Sequence, residues 1–112
     1  MIKLFRGDVI LAWGPDGKGG LKKRPLVVFA DTPKNSDSIV VYCTTQNDGD
    51  ENNTIFVKAD SKDGENMGID DDTYIRPFQI GPINAKAIIK KIGRCALMSE
   101  IQRLHDKRMA QR

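Results

Sequence analysis

Short runs of β-branched and aromatic residues, each cut off by glycine, proline, asparagine or aspartate, set the tightest limit on what this chain folds into. VILAW at 9–13 gives way to GPDGKGG at 14–20, and PLVVFA at 25–30 to DTPKNSD at 31–37. SIVVYCTTQ at 38–46 meets NDGDENN at 47–53, and TIFVK at 54–58 follows. The first kind of residue favours pleated, half-buried backbone, and the second favours turns. Strands are therefore expected over 8–13, 25–30, 38–46 and 54–58, with Ile55 and Val57 on one face of the last. Pro25 suits the opening of a strand, where its missing N–H is tolerated. SKDGENMGIDDD at 61–72 is acidic and without periodicity, and is expected to be a long mobile loop. TYIRPFQI at 73–80 resumes extended structure around a second Arg-Pro pair, and AIIKKIG at 87–93 reads as a last short strand.

Leu97, Ile101, Leu104 and Arg108 then follow helical spacing, so an amphipathic helix over 97–109 lays its apolar stripe on the sheet. The pattern is α+β and mainly β, a small curled sheet or open barrel with one late helix. A length of 112 residues fits one domain, spanning 1–112, with a single core. No apolar run approaches the ~20 residues of a membrane span, so no membrane partner is expected. The opening MIKLFRGDVILAWG has no uninterrupted hydrophobic region followed by a small-residue cleavage site, so it is not read as a secretory signal and a cytoplasmic location is expected. There Cys43 and Cys95 are expected as free thiols, with a disulfide the alternative.

The formal net charge of +3 conceals segregation. Residues 48–72 carry nine acids against Lys58 and Lys62, a balance of −7, while 83–112 carry eight bases against Glu100 and Asp106, a balance of +6. A polyanion docking on the basic part is one reading, and two solvated surfaces the other.

Few groups offer chemistry. His105 is the only histidine, which rules out an intrachain two-histidine acid–base pair; among Arg103, Lys107 and Arg108 it reads as a surface residue. Asp70, Asp71 and Asp72 are adjacent, and neighbours in a loop rarely converge on one ion, so no metal site is read there. GPDGKGG lacks the phosphate-loop spacing, and no Ser or Cys has a nearby His to activate it. What remains is arginine and hydroxyl chemistry. Arg24 stands where a basic stretch enters a core strand, and its guanidinium can fork onto two phosphate oxygens while Lys22 and Lys23 add diffuse attraction. Thr44 and Thr45 close the next strand, at the same end if the two pair as a hairpin, where a hydroxyl can donate to a phosphate oxygen gaining charge. The plain alternative is a surface cation and a strand-forming threonine.

RGDVILAWGPDGKGG, KKRPLVVFAD and VVYCTTQ together resemble the first half of the MazF/PemK family of toxin ribonucleases from bacterial toxin–antitoxin systems. Gly7 and Asp8 match its Gly-Asp, Arg24 and Pro25 its Arg-Pro, and CTTQ at 43–46 its threonine segment; the second half follows more loosely. The resemblance implies an SH3-like barrel and a metal-independent endoribonuclease that uses no cofactor and cuts single-stranded RNA. It implies Arg24 on the scissile phosphate and Thr44 donating to the phosphorane as the catalytic pair. Lys22, Lys23, Thr45, Gln46, Arg76 and Gln79 are implied as RNA contacts. Trp13 is a base-stacking residue or, alternatively, a core or rim aromatic. The family also implies a homodimer with RNA along the two-fold groove, flanked by the basic loop 14–23, and an acidic antitoxin that fills the site. Some members carry Arg, one residue and Asp in the later strand; here the stretch is Arg76, Pro77, Phe78, without the carboxylate. A gyrase-binding toxin of the CcdB kind, usually ending in Trp-Gly-Ile where this chain ends RMAQR, and an inactive RNA- or protein-binding relative are the competing readings.

Overall fold

Every β-branched run becomes a strand in the computed structural model, which describes residues 3–15, 18–32, 36–46, 49 and 52–110. The strands are β1 (Asp8–Pro15), β2 (Leu21–Val28), β3 (Ser38–Thr44), β4 (Ile55–Val57), β5 (Thr73–Ile83) and β6 (Ile88–Arg94). They form one curled antiparallel sheet in the order β4-β5-β3-β2-β1-β6. The central residues of three expected turns, at 16–17, 33–35 and 47–48 with 50–51, lie outside the described residues.

Side chains alternate across this sheet and both faces are covered. One face carries Val9, Val27, Val41, Cys43, Val57 and Ile75, all buried, packed with Ile101 from the helix α2 (Met98–Ala110). The other carries Leu4, Ile10, Ala12, Leu26, Val28 and Val40. The C-terminal helix forms as its spacing predicts, with Ile101 and Leu104 turned inward. His105 departs from expectation. It is half-buried, its Nδ1 lies 3.1 Å from the Pro77 carbonyl oxygen, and its ring meets Phe29 edge-on at 5.3 Å. It thus ties α2 to β5.

Two other expectations fail for identifiable reasons. The stretch 61–72 is not one loop, since Lys62–Met67 forms a helix, α1, with Met67 and Gly64 buried. The Ser61 hydroxyl accepts the Gly64 N–H at 3.1 Å, and Gly68 ends the helix in the left-handed conformation with φ 74°. Both glycines allow close backbone approach. A Cβ on Gly64 would lie 2.1 Å from the Lys58 carbonyl oxygen and one on Gly68 2.2 Å from that of Ile92. The helix therefore wedges between the chain leaving β4 and strand β6, the two outer strands of the sheet. The second correction concerns β2, which begins at Leu21 rather than Pro25, because Gly14 and Pro15 extend β1 and pair with Lys22 and Leu21. Lys22, Lys23 and Arg24 stand on a strand, and of the expected 14–23 loop only residues 18–20 are described outside the ladder.

The Arg-Pro of β5 marks an irregularity. Two steps along β3, from Val41 to Cys43, oppose five along β5, from Ile80 to Ile75. Residues 76–79 stand against Tyr42 alone, a surplus of three, in a bulge where a proline costs no ladder bond.

Asp8 fastens the corner where β1 meets β6. Its carboxylate is fully buried and accepts the Phe5 N–H at 2.8 Å, Arg94 Nη1 at 2.7 Å and Lys91 Nζ at 3.1 Å. Burial alone would raise its pKa, but the Phe5 N–H, Arg94 and Lys91 outweigh it and hold the carboxyl below its ordinary value. Cys43 and Cys95 are free and buried; burial first, and then the neighbouring Cys95, pushes the Cys43 thiol up to about 12.

Candidate nucleic-acid interface

The β2–β3 ladder pairs Val28 with Val40 and Val27 with Val41, and goes no further toward Arg24. Continued at that register, three more residues would bring Arg24 level with Thr44. Instead β2 stays with β1 as far as Leu21, and β3 stays with β5 as far as Tyr74. The strands part, and the gap opens a cavity on each side of the sheet. Arg24 and Thr44 line both, one of about 200 Å³ and one of about 390 Å³.

The remaining candidates divide between the two cavities. The smaller cavity adds Lys22, Lys23 and Thr45, together with Asp70 and Asp71 from the chain beyond α1. The larger adds Trp13, Tyr42 and, from the β5 bulge, Arg76 and Gln79. Eight of the nine residues singled out from the sequence thus converge around one parting of strands. Gln46 lines neither cavity; its backbone N–H donates to Thr44 Oγ1 at 3.1 Å. Sequence reasoning missed Tyr42, although its place two residues before Thr44 on one strand puts both on the same face. It also missed Asp70 and Asp71, which reach the site only because α1 folds.

The polar groups here keep capacity in hand. Arg24 Nε and Nη2 both donate to the Pro15 carbonyl oxygen, at 3.2 and 3.0 Å, which holds the side chain across Gly14 and leaves the rest of its five donors for an anion. Thr44 Oγ1 accepts from Gln46, so its own proton remains to be donated. Trp13 is a rim residue, 43% exposed, with Lys23 Nζ 5.5 Å from its ring centre. Arg76 Nη1 lies 3.5 Å from Gln79 Oε1, a long contact that a ligand can replace. Phe78 faces α2, with the Arg108 guanidinium 5.6 Å from its ring centre. None of the cations among the described residues 83–110 lines either cavity, and two of them, Lys91 and Arg94, serve Asp8. Among the described residues no three His, Cys, Asp or Glu side chains converge on a metal-sized site.

The sequence pattern described as PemK-like, MazF-like toxin of type II toxin-antitoxin system matches residues 5–111. The chain belongs to this family. It is therefore a PemK-like toxin of the type II class, a class whose members act with an antitoxin partner and are typically endoribonucleases. The curled six-strand sheet with its C-terminal helix is consistent with the PemK/MazF fold. No curated protein matches the chain. No helix among the described residues of the toxin is long and apolar enough to cross a membrane.

Proposed function

We propose that this toxin is a metal-independent endoribonuclease that cuts single-stranded RNA at the parting of β2 and β3. The ribose 2′-hydroxyl attacks its own phosphorus and the P–O5′ bond breaks, leaving a 2′,3′-cyclic phosphate and a 5′-hydroxyl. DNA lacks that nucleophile and is not a substrate. Arg24 binds the scissile phosphate and neutralises charge that grows on its oxygens, and Thr44 donates a hydrogen bond to the same phosphorane. Lys22, Lys23 and Arg76 draw the strand in, Thr45, Gln46 and Gln79 contact bases or ribose, and Trp13 stacks on a base at the rim. No carboxylate stands at position 78, so catalysis rests on charge neutralisation rather than on a general base from β5. The toxin works in the cytoplasm as a homodimer, its RNA lies along the two-fold groove, and an acidic antitoxin segment occupies the same ground. Cleavage of messenger RNA then stops translation and growth.

The observation that carries this reading is that Arg24 and Thr44, matched to the family's two motifs, border both cavities with donors to spare. Incubation of a long single-stranded RNA with the toxin in excess EDTA tests it. Discrete cuts with cyclic-phosphate and 5′-hydroxyl ends, lost in folded Arg24→Ala, are expected. Intact RNA, or cutting that Arg24→Ala retains in full, overturns it.

A further inference from the structure

Thr44 is level with Tyr74 in the β3–β5 ladder, and Tyr74 is level with Phe56 in the β4–β5 ladder. Residues directly opposite in antiparallel strands project from the same face. Thr44, Tyr74 and Phe56 therefore form one row across three strands. Their neighbours of the other parity, Cys43, Ile75 and Val57, are buried in the core that α2 covers, so the row faces the opposite way. At about 4.8 Å per strand, Phe56 stands roughly 10 Å from Thr44.

The sheet core does not account for these two rings. Phe56 is 49% exposed on an outer strand, its ring centre 4.8 Å from that of Tyr74 with the planes tilted by 37°. No phenylalanine, tyrosine or tryptophan is fully buried, and of them only Phe29 packs against a core cluster. Phe5, Trp13, Phe29 and Phe78 each lie beneath a cation, which occupies a ring face; among the described residues no cation lies over Phe56 or Tyr74. The Tyr74 hydroxyl makes no hydrogen bond to any described residue. An open aromatic pair in one row with the Thr44 hydroxyl suits a flat heterocycle joined to a ribose.

We propose that Phe56 and Tyr74 form a stacking platform for an unpaired RNA base next to the phosphate held by Arg24 and Thr44. The assignment rests on the ribonuclease reading above. The base stacks on the Phe56 ring, Tyr74 backs that ring from the Thr44 side, and the Tyr74 hydroxyl meets the sugar. Stacking of this kind tolerates any base, so the platform adds affinity and sets the path of the strand without dictating the cleavage sequence. It requires a single strand, because paired bases cannot reach the rings.

Fluorescence anisotropy with a 2′-O-methyl oligonucleotide, which cannot be cut because its nucleophile is blocked, provides the test. Phe56→Ala is expected to weaken binding about tenfold. Phe56→Leu, which keeps apolar bulk without a ring, weakens it similarly, whereas Phe56→Trp restores it. With cleavable RNA the loss appears in KM. Melting temperatures establish that each variant is folded, and Phe56→Leu serves where Phe56→Ala does not fold. Parental affinity in folded Phe56→Ala or Phe56→Leu, with affinity lost in Arg24→Ala, overturns the platform and leaves the ribonuclease reading standing. Weakened binding of an acidic antitoxin segment with RNA binding untouched also overturns it, and makes this face a protein contact. A parent that neither binds the oligonucleotide nor cleaves RNA in EDTA overturns the ribonuclease reading and the platform with it.

Discussion

Asp8 on β1 and Arg24 on β2 are both charged strand residues, and the fold treats them oppositely. Asp8 is buried and its oxygens take a backbone N–H, a guanidinium and an ammonium. Arg24 is half-buried, leans on one carbonyl oxygen, and sits where neighbouring strands have separated. A carboxylate whose acceptor sites are filled holds the chain together and offers nothing to a visitor. A guanidinium with donors in reserve, beside a hydroxyl with its proton in reserve, adds little to the fold and faces a cavity. Motif matching alone does not separate these roles, since Gly-Asp and Arg-Pro are equally part of the family pattern. Counting the partners does.

The contrast breaks most readily at Arg24. Arg24→Ala is expected to lower RNA cleavage by about 100-fold or more while leaving the melting temperature unchanged. A loss of stability in step with activity would place Arg24 with Asp8. Asp8→Asn is the converse test. It removes charge-assisted hydrogen bonds at a buried corner and should cost about 2 kcal/mol in denaturant unfolding, with cleavage per folded molecule retained. Its pH dependence sharpens the point. The folded carboxyl titrates below its unfolded value, so the stabilisation is fully present above about pH 4 to 5 and disappears as pH falls through the folded value. The gap in melting temperature between parent and Asp8→Asn should therefore narrow at pH 3. Thr44→Val, which deletes a hydroxyl and keeps the shape, is expected to reduce kcat about tenfold, the worth of one hydrogen bond to a charged group. Neutralising Asp70 and Asp71 to Asn should tighten RNA binding roughly two- to fivefold at low salt, with the gain shrinking at high salt. Glu100→Gln lies at the far end of the scale. Its ion pair with Arg103 lies on the exposed face of α2, and no change in melting temperature is expected.

Most of the strand framework was legible because β-branched runs broken by turn residues leave little else to form, and Ile101 and Leu104 announced α2 by their spacing. Arg24 and Thr44 were legible because each ends or begins an apolar run beside a recognisable pair. The helix α1 was not. KDGENM holds a glycine and one apolar residue, so it shows no periodicity, and its only local signals are the Ser61 cap and Gly68. Lys22 and Gly14 looked like loop because turn composition hides a ladder that only the partner strand reveals. The row from Thr44 to Phe56 was beyond reach for a further reason. Register between strands distant in the chain depends on the β5 bulge, and nothing within 76–79 states how many residues it absorbs.

The wedge formed by α1 has a consequence for how this protein survives at high concentration. An outer strand with unanswered N–H and C=O groups invites a second molecule to add its own strand, and such additions propagate. Here the end of α1, at Asn66–Gly68, presses on the β6 backbone at Ile92 and Gly93 and stands in the way of an added strand there. A chain that lost the Ser61 cap is therefore expected to precipitate at a lower concentration than the parent.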